Sequence, residues 1–427
     1  MGCGAGQTAQ VYVDDVEFTG VSLSGGWTPR LNRPAQATVT MPMEVDAGDC
    51  GSRLMITLDD DEIVFHGPIL NTETDTNKDG GTTMYNAQDH MELWQHRPVR
   101  ADDGDFSKPS GSGETDGRDI IATYQNGPQI LEAMLLNSID TSGGGGGPPP
   151  TDAEGAIFLD FGSFAGGGAA LFGAPVDWPM TMMDFFSLLV STGQLDAVIT
   201  YTNPGGGVTG TIDAFNGDYG ADLTGSVNFV YGSSPRSAQA IRWNRDMTNM
   251  VNKYWLYAGP RIGTASDPAG DQHWCFNVTG DDPDLAYPPG GKLQPPAALA
   301  DNQLGSKLAA SRTAYGVRMK VDIFDAYDET CIPGFGTVGR DLYRYQWQVY
   351  SWFSSEPKDL VHVLPTDDTF IGCFGIGDLV GVEGSSHVKG GFSGAQRVYE
   401  YTVSWEATPS LLTLSEIQTS SDAEGMG

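Results

Sequence analysis

Apolar side chains recur at every second position along much of this chain, and a period of two is satisfied by strands that bury one face. Val11, Val13 and Val16 lead in; Ala37, Val39 and Met41 alternate, and so do Leu54, Ile56 and Leu58. From Gln10 to Asp89 this predicts a small antiparallel sheet or barrel. Asp59-Asp60-Asp61 joins a strand at 54–58 to one at 63–72, and Asn77-Lys78-Asp79-Gly80-Gly81 returns that strand into 82–88. Two consecutive hairpins are expected. Strand signals resume at 226–231, 238–243, 316–324, 343–353, 360–364, 378–383, 397–405 and 411–417.

Between these two β regions the composition changes. Residues 101–117 are acidic and rich in Gly and Ser, and 142–150 read SGGGGGPPP, which no packed element accommodates. Between those loops Pro128 suits a first helical position, and Ile130, Leu131, Met134 and Leu135 share one face of a helix of about three turns. A second helix opens on the capping pattern Thr181-x-x-Asp184, buries Phe185, Leu188 and Leu189, and stops at Gly193. Strands at 197–202 and 207–213 follow. The fold class expected is mainly β with an α+β insertion: two small β-barrel domains and long Gly/Pro-rich loops. The boundaries expected are 1–98 for the first barrel, 99–221 for the insertion, 222–417 for the second barrel and 418–427 for a polar tail. Residues 259–309, crowded with Pro, Gly and Asp, read as an irregular surface excursion that contacts a neighbour.

The two β regions also resemble each other. Gly51-Ser-Arg-Leu54-Met-Ile56-Thr-Leu58 matches Gly377-Asp-Leu379-Val-Gly-Val382-Glu in pattern. Gly67-Pro-Ile69-Leu-Asn-Thr matches Arg397-Val-Tyr399-Glu-Tyr401-Thr-Val403, and Met84-Tyr85 and Leu412-Thr-Leu414 close each set. Hairpins resemble one another, so chance and duplication both account for the match. Duplication would give each chain two related barrels.

At 427 residues, and about 150 per domain, two to four domains are expected. The 57 Gly and 25 Pro exceed what a helical enzyme carries and imply many turns and loops. A net charge of −32 repels nucleic acid at long range and excludes a sequence-reading DNA binder. Solubility of a large β protein, and an acidic surface along which DNA passes without sticking, both account for that charge. The five cysteines (Cys3, Cys50, Cys275, Cys331, Cys373) are odd in number, widely spaced and without C-x-x-C, so reduced and mostly buried thiols are expected. No signal-like segment opens the sequence and no run of about 18 apolar residues occurs, so no membrane segment is expected and the protein is expected to be soluble when made. Met1-Gly2-Cys3 fails the acylation pattern at Gly6.

Motifs that could carry chemistry each meet a structural reading. Asp75-x-Asn77-x-Asp79-Gly80 begins like a calcium loop, but Asn86 stands at the twelfth position where a bidentate Glu is needed, and strands flank it. It reads as a hairpin turn. Gly334-Phe-Gly336-Thr-Val-Gly339 precedes a strand-like alternation, Tyr343, Tyr345, Trp347 and Val349, and not the helix that a phosphate site needs. That stripe reads as a core face; a sugar-stacking platform is the other reading. The six histidines (His66, His90, His96, His273, His362, His387) show no metal spacing and read as structural or surface residues. Paired carboxylates of a hydrolase leave no signature in sequence.

A family likeness rests on three stretches. Residues 60–93, DDEIVFHGPILNTETDTNKDGGTTMYNAQDHMEL, resemble the first hub domain of phage tail-tip proteins, in which a short strand ends in a G-x-I turn and a long hairpin leads to a closing strand. Residues 182–220, with STGQLDAVITYT and TIDAFNGDYG, resemble actinobacteriophage minor tail proteins, as do residues 222–260, DLTGSVNFVYGSSPRSAQAIRWNRDMTNMVNKYWLYAGP. Residues 340–417 share the likeness more loosely. The resemblance implies a baseplate hub, in which three copies with two similar barrels each form a pseudo-sixfold ring between a hexameric tail tube and a threefold tip. For this chain it implies a structural, non-enzymatic siphophage virion protein at the distal end of the tail, with no catalytic residue, metal or cofactor. The partners implied are its own copies in a homotrimer, a distal tail protein ring, the tape-measure protein, and a central fibre or other minor tail proteins. Genomic DNA would pass through without specific binding. The loops at 142–150 and 259–309 depart from a minimal hub. The runner-up is a receptor-binding tip protein that holds host cell-wall glycan on the aromatic stripe.

Overall fold

The computed structural model describes residues 7–58, 62–77, 80–96, 118–121, 127–139, 159–164, 174–177, 180–191, 195–203, 207–215, 219–233, 236–258, 274–277, 301–324, 354–366, 370–384, 392–406 and 412–420. The chain is mainly β, and thirteen strands belong to one sheet. Alternation sets the faces as the sequence predicts: Gln36–Pro42 buries Ala37, Val39 and Met41 and leaves the residues between them partly exposed. Both hairpins form. Arg53–Leu58 pairs antiparallel with Ile63–Asn77, which pairs antiparallel with Gly80–Gln88 until Asn77 lies opposite Gly80.

One six-strand unit occurs twice in this sheet. The first is ordered Ser24–Thr28, Gln36–Pro42, Gly80–Gln88, Ile63–Asn77, Arg53–Leu58, Ala9–Val13. The second is ordered Ala238–Asp246, Lys358–Pro365, Thr413–Ser420, Phe392–Glu406, Leu379–Gly384, Asn228–Tyr231. Each long strand has 15 residues. Each also shifts register at the same place, between Ile69 and Asn71 in one and between Val398 and Glu400 in the other. Glycines at positive φ, Gly51 at 96° and Gly377 at 85°, donate their N–H groups to the carbonyls of Ile69 and Val398. Chance hairpins do not share strand order, bulge position and turn conformation, so the structure decides for duplication. The units differ at their last strand: Ala9–Val13 runs antiparallel to its neighbour and Asn228–Tyr231 runs parallel. The equivalence also moves the sequence match, pairing Ile69 with Val398 instead of Tyr399, and Tyr85 with Ile417.

The two expected barrels do not close among the described residues. The free side of Ser24–Thr28, which could shut the first unit, is taken by the end of Phe392–Glu406, with Val403 opposite Trp27. One open path results, with Ala238–Asp246 at one end. Its core is shared, since Val39, Ile56, Phe65, Val361, Val382 and Val403 belong to a single buried cluster.

The insertion has its own core. Helices form at Gly127–Ile139 and Met182–Ser191, and Ile130, Leu131, Met134, Leu135, Phe185 and Leu189 are buried together with Trp94. The second helix opens on a reciprocal capping box, with Asp184 N–H donating to Thr181 Oγ1 and Thr181 N–H to the Asp184 carboxylate. Gly193 and the Leu188 side chain lie outside the described residues. Asp196–Thr202 and Thr209–Phe215 pair antiparallel, with Leu159–Phe164 parallel beyond them. The stretch read as an irregular excursion holds a strand, Trp274–Asn277, and the start of a helix, Asp301–Tyr315. Periodicity missed that helix because it buries Leu308 and Ser311 and is held by polar contacts, Asn252 Nδ2 donating to Ser311 Oγ and Arg312 to the Asn252 carbonyl. No described helix is long and apolar enough to cross a membrane.

A buried polar network fastens the insertion to both units. Asp196, which opens the insertion strand Asp196–Thr202, forms an ion pair with Arg397 of the second unit's long strand. Its other oxygen accepts from Asn32 Nδ2 at 2.9 Å, and Asn32 Oδ1 accepts from Ala197 N–H at 2.8 Å. Asn32 takes a left-handed φ of 60°, which a short amide side chain tolerates. Arg397 also donates to the carbonyls of Tyr219 and Gly377. Asp196→Ala would leave a guanidinium buried without its counter-charge, and urea denaturation should show a loss of about 3–5 kcal/mol. Adding Arg397→Met removes the orphaned charge, so the double variant should be more stable than Asp196→Ala alone.

Candidate assembly surface

The seam between the two units shows how this sheet accepts a strand. Val403–Glu406 lies antiparallel to Ser24–Trp27, and Trp405 stands opposite Gly25. The indole occupies the space a side chain would need, since a Cβ on Gly25 would lie 2.3 Å from it. Trp27 and Trp405 rings are 6.4 Å apart, and Trp405 Nε1 donates to Ser22 Oγ at 3.3 Å. Outward along the seam, the hydroxyls of Thr28 and Thr402 meet at 3.0 Å and Arg30 Nε donates to Glu400 at 2.7 Å. Leu31 N–H donates to the Tyr399 carbonyl at 2.9 Å, and the two side chains share an apolar cluster with Val198.

Each half of this seam recurs elsewhere in the sheet. Along Ile63–Asn77, Arg53–Leu58 covers the side away from Gly80–Gln88 as far as Pro68, Gly51 and Ser52 bond Ile69, and Cys50 Sγ meets the Leu70 carbonyl; from Asn71 onward that side has no ladder partner among the described residues. Ala238–Asp246 pairs with Lys358–Pro365 and, among the described residues, has no ladder partner on its other side. Such edges expose N–H and C=O groups that will pair with an extended strand. Asp75, the first residue of the calcium-like motif, is exposed on the first of these edges. Lys78 and Asp79, the Gly334–Gly339 motif and the Tyr343–Trp347 stripe lie outside the described residues. No group of three or more His, Cys, Asp or Glu placed to hold a metal occurs among the described residues.

Two thiol expectations are corrected. Cys373 is disulfide-bonded, and Cys50 is free but exposed. Wide spacing carries no information about which sulfurs a fold brings together.

The histidines also hold a relation that spacing concealed. His66 stacks on His90 with ring centroids 5.1 Å apart and Nδ1 of one 2.9 Å from Nε2 of the other. Tyr201 of the insertion packs on both rings, at 5.6 and 5.5 Å. Asp89, beside them, caps the short helix His90–Gln95 by accepting from Met91 N–H at 3.0 Å, and accepts from Ala35 N–H at 2.9 Å. Burial first, then the Arg53 charge, holds His66 down to about 4, against a slight opposing pull from Asp15. Burial and the His66 ring hold His90 well below its ordinary range. Burial pushes Asp89 up to about 7 against its two backbone donors.

These shifts oppose each other. Between about 6.5 and 4 the unfolded chain protonates His66 before the folded chain does, so this contribution to stability is lost as pH falls. Between about 7 and 3.8 folding takes up a proton at Asp89, so that contribution grows as pH falls. Asp89→Asn removes the second effect, and its melting temperature should fall more steeply than that of the parent chain between pH 6.5 and pH 4. Parallel profiles would count against the assignment.

No protein-family model matches the chain, and no curated relative does. Solved structures do match. The tail protein from Neisseria meningitidis MC58 superposes with a TM-score of 0.52 at 10% identity, covering 98% of this chain and 98% of its own. The 43 kDa tail protein of prophage MuSo2 from Shewanella oneidensis gives 0.50 at 10% identity, with coverage of 97% and 98%. At that identity the likeness is one of fold, and over nearly its whole length this chain has the fold of phage tail proteins.

Proposed function

We propose that this chain is a structural, non-enzymatic component of a phage tail, the baseplate hub at the tip of an actinobacteriophage of the siphophage type. The carrying observation is the duplicated six-strand unit, whose strands Ala238–Asp246 and Ile63–Asn77 each keep an edge without a ladder partner among the described residues. Three chains bring six similar units around one axis, so a homotrimer presents near-sixfold symmetry to a tail tube and keeps threefold symmetry towards the tip. The shared fold with two phage tail proteins supports the same reading. In this reading 1–98 and 222–417 are the hub domains, 99–221 is the α+β domain inserted between them, and the loops at 142–150 and 259–309 are docking surfaces.

Its neighbours are the distal tail ring and tape-measure protein above, and a central fibre or other minor tail proteins below. The net charge of −32 suits a ring that gates genome ejection and lets DNA through without holding it. Immunogold labelling of intact particles, with the mass of the purified chain from light scattering, tests the proposal. Gold at the junction of tube and tip and a trimeric mass are expected. Gold along fibres, or no gold on particles, would overturn it.

A further inference from the structure

We propose that the open edge of Ile63–Asn77 receives the Ala238–Asp246 strand of a second copy of this chain, in the register set by the internal seam. The inference rests on the ring reading above and names the surface that closes it.

The register follows from the duplication. Val398 and Ile69 precede equivalent bulges, which makes Thr74, Asp75, Thr76 and Asn77 the counterparts of Val403, Ser404, Trp405 and Glu406. Trp27 lies opposite Ala37, which lies opposite Ala87; Trp243 lies opposite Val361, which lies opposite Thr419. Ala87 pairs with Ile69 and Thr419 with Val398, so Trp243 is the counterpart of Trp27. The internal pairing of Val403 with Trp27 and Trp405 with Gly25 therefore becomes Thr74 with Trp243, Asp75 with Arg242 and Thr76 with Ile241.

Three features of the two edges agree with that register. Charge is complementary: Glu73 and Asp75 are exposed on one edge and Arg242 on the other, and Asp75 falls opposite Arg242, while Arg245 is already paired with Asp359 of its own chain. Size is exchanged: the internal seam sets Trp405 against Gly25, and the outer one would set small Thr76 against large Ile241. Exposed apolar surface gains a partner: Leu70, 41% exposed, is the counterpart of Tyr399, and it would meet Met247, the counterpart of Leu31.

Asp75 and Arg242 would form a pair without mutual backbone hydrogen bonds, because Leu31 N–H bonds the Tyr399 carbonyl and bonded pairs alternate from there. In such pairs the Cα atoms approach to about 4.5 Å, within disulfide reach. The test uses the full chain with Cys50→Ser. Mixed Asp75→Cys and Arg242→Cys chains should form a covalent dimer under mild oxidation, and Asp75→Cys mixed with Gln239→Cys should not. Separately, Asp75→Arg should weaken self-association at least about tenfold by light scattering, with its melting temperature unchanged, and Asp75→Arg with Arg242→Asp should restore it. A trimer that neither cross-links at this pair nor responds to the charge reversal overturns the surface and leaves the ring reading standing. A chain that stays monomeric at all concentrations, with no gold at the tail tip, overturns both.

Discussion

Arg397 is the point on which three parts of the molecule converge. It sits on the second unit's long strand, its counter-charge Asp196 belongs to the insertion, and Asn32, which orients that carboxylate, belongs to the first unit. All three side chains are buried, so none can exchange its partner for water. A network of this kind adds little net stability over an apolar core of the same volume. It imposes a unique arrangement, because any other seating of the insertion leaves a charge buried and unpaired.

The duplicated sheet turns the same economy outward. One junction between units lies within the chain and is sealed by the two tryptophans and the Arg30–Glu400 pair. At the equivalent outer positions Thr76 stands for Trp405, and Asp75 and Arg242 add charge, as a surface needs if it is to remain soluble before it meets a partner. His66 and His90 do comparable work on the insertion's other flank, where Tyr201 rests on neutral rings. Two polar attachments therefore hold one small apolar core, that of Ile130, Leu131 and Phe185, to the edge of a large one.

Local patterns were legible in the sequence, and distant relations were not. Alternation placed Gln36–Pro42 and the two hairpins, and the Thr181–Asp184 capping box placed a helix start, because each depends on residues a few positions apart. The Asp301–Tyr315 helix escaped because its buried side chains, among those described, are Leu308 and Ser311 and form no apolar stripe. The repeat was matched one residue away from its structural register along the long strands. The seam, the buried ion pair and the stacked histidines join residues distant along the chain, and no spacing rule encodes such meetings. Barrel closure was expected from the antiparallel hairpin pattern and the family resemblance; the structure instead uses the free edge of Ser24–Thr28 to join the units.

The seam also sets a timetable for synthesis. Thr28 meets Thr402 across 374 positions of chain. At about 5–20 residues per second, the edge of Ser24–Thr28 waits on the order of tens of seconds for the segment that covers it. For that interval a nascent chain offers a bare strand to its neighbours on the same messenger, and the strand that will cover it is the same element that carries Arg397. Sealing the sheet and locking the insertion are therefore late and coincident events, which makes the final segment of the sheet the committing step in maturation of the whole molecule.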